Sequence, residues 1–168
     1  VPKFHVCRPK KDLVPQLRKE ATRLRGEIVS IANSSDPYPN VEAETGLMRK
    51  CLQILTQQDC KIQIITKSNL VARDLDILRS MPSMVSLTIT TDDDSIGRLL
   101  EPHAPPPSER LKTIKTLITN NIPTTVRIDP IIPLINDNTE TLITKLALTG
   151  VKHITCSTYK AKQDNWKR

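Results

Sequence analysis

Ile28-Val29-Ser30-Ile31-Ala32, running without a gap into Asn33-Ser34-Ser35-Asp36-Pro37-Tyr38-Pro39-Asn40-Val41-Glu42, is the stretch that decides the fold. A short β-branched run that ends in a dense polar loop and then feeds a helical pattern is a strand-loop-helix unit. In α/β proteins the carboxyl ends of parallel strands form the binding face, because loops there vary without disturbing the core. Further β-branched runs begin near residues 61, 84, 124 and 153, and helical patterns fill most of the intervals. The alternation predicts repeated βαβ units around a parallel sheet, with all 168 residues in one domain.

Between the strands, Asp12 is expected to cap a first helix that accepts Pro15 in its first turn and buries Leu13, Leu17, Ala21 and Leu24. A second, continuous helix over residues 41–57 buries Leu47, Cys51, Ile54 and Leu55, and a third covers residues 70–80. Residues 92–107 read as the longest irregular stretch, with three aspartates and Pro105-Pro106-Pro107. Ser108 then caps a helix presenting Leu111, Ile114, Leu117 and Ile118, and a last helix runs from an Asn138 cap to Gly150.

The strands carry a second signal. A parallel strand covered on both faces reads as a nearly continuous apolar run, yet Ser86, Thr88 and Thr90 alternate with Val85, Leu87 and Ile89. Thr125, Arg127 and Asp129 share a face in the next run, as do Gln63 and Lys67 before it and His153, Thr155 and Ser157 after it. An apolar interior would not absorb these groups, since each unpaired one costs about 1–3 kcal/mol. One side of the sheet must therefore meet water, a ligand or an ordered network. The bland alternative is a partly solvated face whose threonines serve β-propensity, and Lys67 and Arg127, natural partners for a carboxylate or phosphate, weigh against it.

Composition excludes several classes. Cys7, Cys51, Cys60 and Cys156 form no CxxC pair, so spacing supports neither a disulfide framework nor a zinc site. Four glycines without a cluster argue against a phosphate-cradling loop. The net charge of +7 favours an acidic partner such as nucleic acid, whereas an aromatic content of 2% leaves few platforms for base stacking. No apolar run reaches membrane-spanning length, and the expected compartment is the cytoplasm. Taken singly, Asp92-Asp93-Asp94 reads as a helix-start cluster before it reads as a cation site, and His103 as a loop histidine before it reads as a proton donor.

Four blocks together resemble the radical S-adenosylmethionine superfamily, in the branch that includes spore photoproduct lyase. They are residues 33–42, Ile65-Thr66-Lys67-Ser68, Glu101-Pro102-His103-Ala104-Pro105 with Arg110-Leu111, and Arg127-Ile128-Asp129-Pro130-Ile131-Ile132-Pro133 leading to Asn136-Asp137. The resemblance implies a partial (β/α) TIM-like barrel whose cavity holds S-adenosylmethionine on a 4Fe-4S cluster. It implies that Ser35 and Asp36 contact the methionyl amino group and that Lys67 and Thr88 hold its carboxylate. Ser86 and Thr90 would line the same wall, and Arg127 would be a cavity group near cofactor or substrate. It further implies lyase-like radical chemistry and a reductant such as ferredoxin or flavodoxin for the intact enzyme.

The sequence departs from that pattern in one place, for the CxxxCxxC motif that ligates the cluster is absent. In the family the motif lies just upstream of a segment resembling Val1-Pro2-Lys3-Phe4-His5, so the resemblance implies cluster cysteines upstream of Val1 and no metal ligand within the chain. The expectation is a fragment beginning just after the last cluster ligand, truncated at the N-terminal strand and cluster loop and inactive in isolation. Two other readings stand beside it. One is a non-catalytic basic remnant that binds nucleic acid or protein; the other is a cluster-free barrel enzyme acting on an anionic metabolite through Lys67 and Arg127.

Overall fold

The computed structural model describes residues 7–31 and 35–160. Five strands, β1 (Ile28–Ile31), β2 (Lys61–Thr66), β3 (Ser83–Thr88), β4 (Thr124–Ile131) and β5 (Ile154–Thr158), form one sheet in the order β1-β2-β3-β4-β5. Every neighbouring pair is parallel, so each link must cross back over the sheet. The links carry α1 (Leu13–Glu20) before β1, α2 (Glu42–Thr45) and α3 (Leu47–Leu55), then α4 (Leu75–Leu78), α5 (Asp94–Leu100), α6 (Pro107–Thr119) and α7 (Glu140–Thr149). An open parallel sheet wound in sequence order is what the strand-helix alternation predicts, and it is consistent with the partial β/α barrel that the resemblance implies. Val1, next to which the resemblance sets the cluster loop, lies outside the described residues.

The register separates the two faces. Ile64, Val85 and Thr124 are aligned across three strands, as are Thr66, Leu87 and Val126. This face buries Ile62, Ile64, Val85, Leu87, Ile89, Val126 and Ile128 against Leu52 and Leu55 of α3, Ile114 and Leu117 of α6, and Leu142 and Leu146 of α7. On the other face Ile65, Ser86 and Thr125 are aligned, as are Thr88, Arg127 and Thr155. The period-two polar face is therefore real: Ser86 and Thr88 are buried at its centre, while Gln63, Thr125 and Arg127 on the neighbouring strands are half-buried.

Local chemistry moves several helix boundaries. The continuous helix over 41–57 is two helices, because Gly46 adopts φ 57° between them, a left-handed conformation that breaks the hydrogen-bond ladder. The helix over 70–80 is a 3₁₀ segment, Asn69–Asp74, followed by one turn of α-helix. The irregular stretch 92–107 contains α5, started by Asp93, whose carboxylate accepts from the Ser95 and Ile96 amides. Asp92 pairs with Lys145 and Asp94 accepts from Ser108, so the three aspartates serve helix starts and packing.

Two expected caps are also displaced. Ser108 does not cap α6, which begins at Pro107, a residue that has no amide proton to leave unpaired. The last helix begins at Glu140 after Thr139, two residues beyond Asn138, and ends at Gly150 as expected. Close approach rather than conformation explains Gly97, since a Cβ there would lie 2.5 Å from Pro107 Cδ at the α5–α6 contact. Gly97→Ala is expected to destabilise the fold: overpacking costs about 1–3 kcal/mol, against roughly 1 kcal/mol regained in helix propensity. Urea unfolding measures the balance.

Candidate functional site

Loops at the carboxyl ends of β1, β2 and β3 enclose a cavity of about 800 Å³. Asp36, Tyr38 and Pro39 line it from the first loop, Lys67 and Ser68 from the second, and Glu101, His103 and Pro105 from the third. A hollow of about 650 Å³ opens at the opposite end of the sheet, walled mainly by apolar groups such as Ile62, Leu78, Met81 and Ile122. Parallel α/β sheets bind ligands at the carboxyl end, and the charged side chains gather there.

The first loop is locked by ion pairs that no local pattern announces. Asp36 Oδ1 accepts from the Tyr38 amide (2.9 Å) and the Thr66 hydroxyl (2.7 Å), and Oδ2 accepts from the Lys67 amide (2.7 Å), which ties the loop to the end of β2. Tyr38 is buried and its hydroxyl donates to Asp74 (3.2 Å). Asp74, fully buried, also accepts from Arg49 (2.9 Å) and Arg73 (2.9 Å). Arg73 in turn holds the buried Glu42 (2.8 Å), whose other oxygen accepts from the Met48 amide (2.9 Å). Burial, with the Asp74 charge beside it, pushes the Tyr38 phenol well above its ordinary value, so it remains a neutral donor.

The third loop is fastened from beneath. Arg110 of α6 is fully buried; its Nε donates to the Pro105 carbonyl (2.7 Å), and its Nη1 to the Thr88 carbonyl (3.2 Å) and to Glu101 Oε2 (2.6 Å). Glu101 Oε2 also accepts from Thr90 (3.0 Å), and Oε1 meets Lys67 Nζ as an ion pair. A chain of charge thus runs from Arg110 beneath the loop through Glu101 to Lys67 at the cavity surface. On β4, Arg127 pairs with Asp129 (2.6 Å). Asn136 donates to the Thr90 carbonyl (2.7 Å) and the Pro130 carbonyl (3.0 Å), and its Oδ1 accepts from the Ile132 amide (2.6 Å). Its place in the Asn136-Asp137 motif is thereby explained: it joins the carboxyl ends of β3 and β4.

The structure thus brings Asp36 and Lys67 to one cavity. Ser86, Thr88 and Thr90, expected on the wall beside Lys67, are buried and do not line this cavity; Thr90 is joined to it through its hydrogen bond to Glu101. Ser35 is exposed and lines an adjoining hollow of about 350 Å³, and Arg127 stands farther along the polar face in its own ion pair. Val1 and His5, at the end where the cluster loop is expected, lie outside the described residues, as do Asn33 and Ser34. Glu101 and Arg110 belong to the resembling blocks but were not expected as site residues; their role depends on a pairing across the sheet that no local spacing shows.

Burial alone would raise the Glu101 carboxyl, but hydrogen bonds and charge from Lys67 and Arg110 outweigh it and hold it below its ordinary value. A hydrogen bond from Ser157, with the Arg127 guanidinium and the Lys67 charge, likewise holds Asp129 down against its burial. A depressed folded-state pKa adds stability above the unfolded value, and that stability is lost as pH falls through the folded value. Unfolding free energy is therefore expected to hold steady above roughly pH 5 and to decline below about pH 4, the unfolded carboxylate range. Urea titrations across this range should show a shallower acid limb for Glu101→Gln, together with a lower plateau because Arg110 loses its counter-charge.

No family model matches the chain. It is 33% identical over 124 residues to an uncharacterized protein of Methanocaldococcus jannaschii, covering 73% of this chain and 47% of that one. To an uncharacterized protein of Mycobacterium tuberculosis it is 26% identical over 155 residues, covering 87% and 46%. The chain thus spans about half the length of the curated relatives it matches. Among solved structures, spore photoproduct lyase with bound AdoMet and dinucleoside spore photoproduct is similar with TM-score 0.66 at 16% identity, covering 93% of this chain and 48% of that one. SuiB of Streptococcus suis bound to S-adenosylmethionine is similar with TM-score 0.65 at 16% identity, covering 93% and 35%. At such identities the likeness is one of fold, and it places the open sheet among partial β/α barrels.

Proposed function

We propose that this chain is an S-adenosylmethionine-binding core of the radical S-adenosylmethionine type, with the cofactor's amino-acid end in the cavity beside Lys67. The observation that carries the reading is the cation itself. The Lys67 side chain, about two-fifths exposed, lines an 800 Å³ cavity at the carboxyl end of a parallel sheet. An ammonium has three donors and Glu101 takes one, which leaves donors for a ligand carboxylate. Glu101 and Asp36, which line the same cavity, supply negative charge to face a ligand ammonium. A zwitterion is thus matched at both ends, and the proteins similar in fold include two with the cofactor bound.

The cofactor, when bound to a reduced 4Fe-4S cluster, supplies a carbon radical by cleavage of its sulfonium. The residues of this chain do not fit the cluster. Cys51 and Cys60 are buried, with thiols pushed up chiefly by burial, and Cys7 and Cys156 are exposed and apart from any CxxxCxxC pattern. Among the described residues no group of three or more His, Cys, Asp or Glu side chains is placed to hold a metal ion. The function proposed is therefore binding and orientation: Asp36 fixes the first loop, Arg110 and Glu101 hold Lys67 in place, and the buried Thr90 hydroxyl donates to Glu101 from beneath.

Equilibrium dialysis with labelled S-adenosylmethionine tests the reading. Binding at one site per chain, competed by methionine at high concentration as well as by S-adenosylhomocysteine, is the expected outcome. Retention of phosphate or a dicarboxylate without retention of S-adenosylmethionine would favour the enzyme acting on an anionic metabolite.

A further inference from the structure

Leu134 is 95% exposed, more than any other large apolar side chain among the described residues, and Ile135 beside it is 48% exposed. The loop that carries them is tied down. Asn136 Oδ1 accepts from the Ile132 amide (2.6 Å), the Ile135 and Asn136 amides donate to the Ile132 carbonyl (3.1 and 3.2 Å), and Asp137 accepts from the Leu134 amide (2.9 Å). Leu134 itself sits at φ 65°, a left-handed conformation uncommon for any residue but glycine. A loop that had only to turn would take glycine there; this one holds an apolar side chain out in water. Residues 133–135 thus form a fixed apolar knob beyond the carboxyl end of β4.

The charge around the knob is one-sided. No lysine or arginine lies between Arg127 and Lys145, whereas Asp137 and Glu140 follow the knob, both exposed and without an ion-pair partner among the described residues. The hollow of about 650 Å³ at the opposite end of the sheet has the complementary character. Ile62 and Ile122 wall it together with Met81 and Met84, two of the chain's three methionines, whose unbranched thioethers adapt to an incoming apolar group. Lys61 and Arg79 line it too, exposed and likewise without an ion-pair partner among the described residues.

Knob and hollow cannot meet within one molecule. The hollow lies at the amino ends of β2 and β3, and a six-residue strand such as β3, at about 3.3 Å per residue, keeps the two ends of the sheet roughly 20 Å apart. We propose that the knob of one copy docks in the amino-end hollow of a second copy of this chain, with Asp137 and Glu140 facing Lys61 and Arg79 across the contact. Because two different surfaces meet, the contact is heterologous, and copies add head to tail as rings or open rows. A knob of two or three side chains makes a small interface, so the association is transient. None of residues 132–140 lines the cavity beside Lys67, so docking is independent of S-adenosylmethionine.

Sedimentation velocity over a concentration series tests it, using the full chain. The unaltered chain should show a weight-average mass that rises with protein concentration and falls as salt screens the facing charges. Leu134→Ser with Ile135→Ser removes the knob, and Lys61→Glu with Arg79→Glu reverses the charge of the hollow. All four positions are exposed, so urea midpoints should stay near that of the unaltered chain. Each variant alone should associate at least about tenfold more weakly, the consequence of losing one buried leucine or its equivalent. Mixed in equal amounts, the two variants should form one-to-one pairs and stop there, because each supplies the surface the other lacks. An unaltered chain that stays monomeric at every concentration, undiminished association in either variant, or a mixture no more associated than its parts would each overturn the proposal.

Discussion

Asp74→Ala is expected to lower the unfolding free energy by about 3 kcal/mol or more, the usual consequence of removing one partner of a buried ion pair. Asp74 is wholly enclosed and accepts from Tyr38, Arg49 and Arg73, so its loss leaves two guanidinium groups facing each other and a buried hydroxyl with no acceptor. Both arginines are partly exposed and regain some hydration, which keeps the effect toward the lower end of the range. For a domain whose whole stability is on the order of 5–15 kcal/mol this is a large share. Tyr38→Phe, which retains the ring and loses one hydrogen bond, should cost only about 1 kcal/mol. Chemical denaturation of the two variants separates the charge network from the aromatic packing. A loss below about 0.5 kcal/mol for Asp74→Ala, the level of a surface change, would show that the network does not hold the loop.

Lys67→Ala should act on ligand affinity rather than on the fold. A hydrogen bond to a charged group contributes about 1.5–3 kcal/mol, so S-adenosylmethionine should bind roughly ten- to a hundredfold more weakly. Stability should change little, because Glu101 keeps Arg110 and Thr90 as partners after Lys67 is removed. Lys67→Arg restores the charge with a different donor geometry and should recover part of the affinity. Calorimetric titration beside a denaturation curve distinguishes loss of a ligand contact from loss of structure. Equal affinity in Lys67→Ala would remove this residue from the site.

The sheet was legible because its signal is local. Alternation of Ser86, Thr88 and Thr90 with Val85, Leu87 and Ile89 assigns faces within a single strand, and the observed register aligns Thr88 with Arg127 as that alternation requires. Helix boundaries were harder to read. A glycine inside an apolar period is compatible with a continuous helix, and only the backbone at Gly46 shows that it breaks one. The start of α5 does have a local signal in Asp93 followed by Ser95, hidden within a stretch whose prolines suggested irregular chain.

At the cavity, Lys67 was visible from strand alternation, whereas the groups that fix it were not. Glu101 meets Lys67 across 34 positions of sequence, and Asp74 meets Tyr38 across 36. Arg110 occupies a helix position whose polarity suggests solvent, yet it is fully buried because it serves two backbone carbonyls and a carboxylate at once. Pairings of that kind are properties of the assembled sheet ends and leave no trace in local spacing.

The most direct test of the central claim is an amide map by nuclear magnetic resonance as S-adenosylmethionine is added to the chain. The account predicts saturable shifts at Asp36, Tyr38, Lys67, Ser68, Glu101 and His103, around the cavity at the carboxyl ends of β1, β2 and β3. Shifts confined to the hollow at the other end of the sheet, around Ile62, Met81 and Asn121, or no shift at saturating concentration, would contradict it.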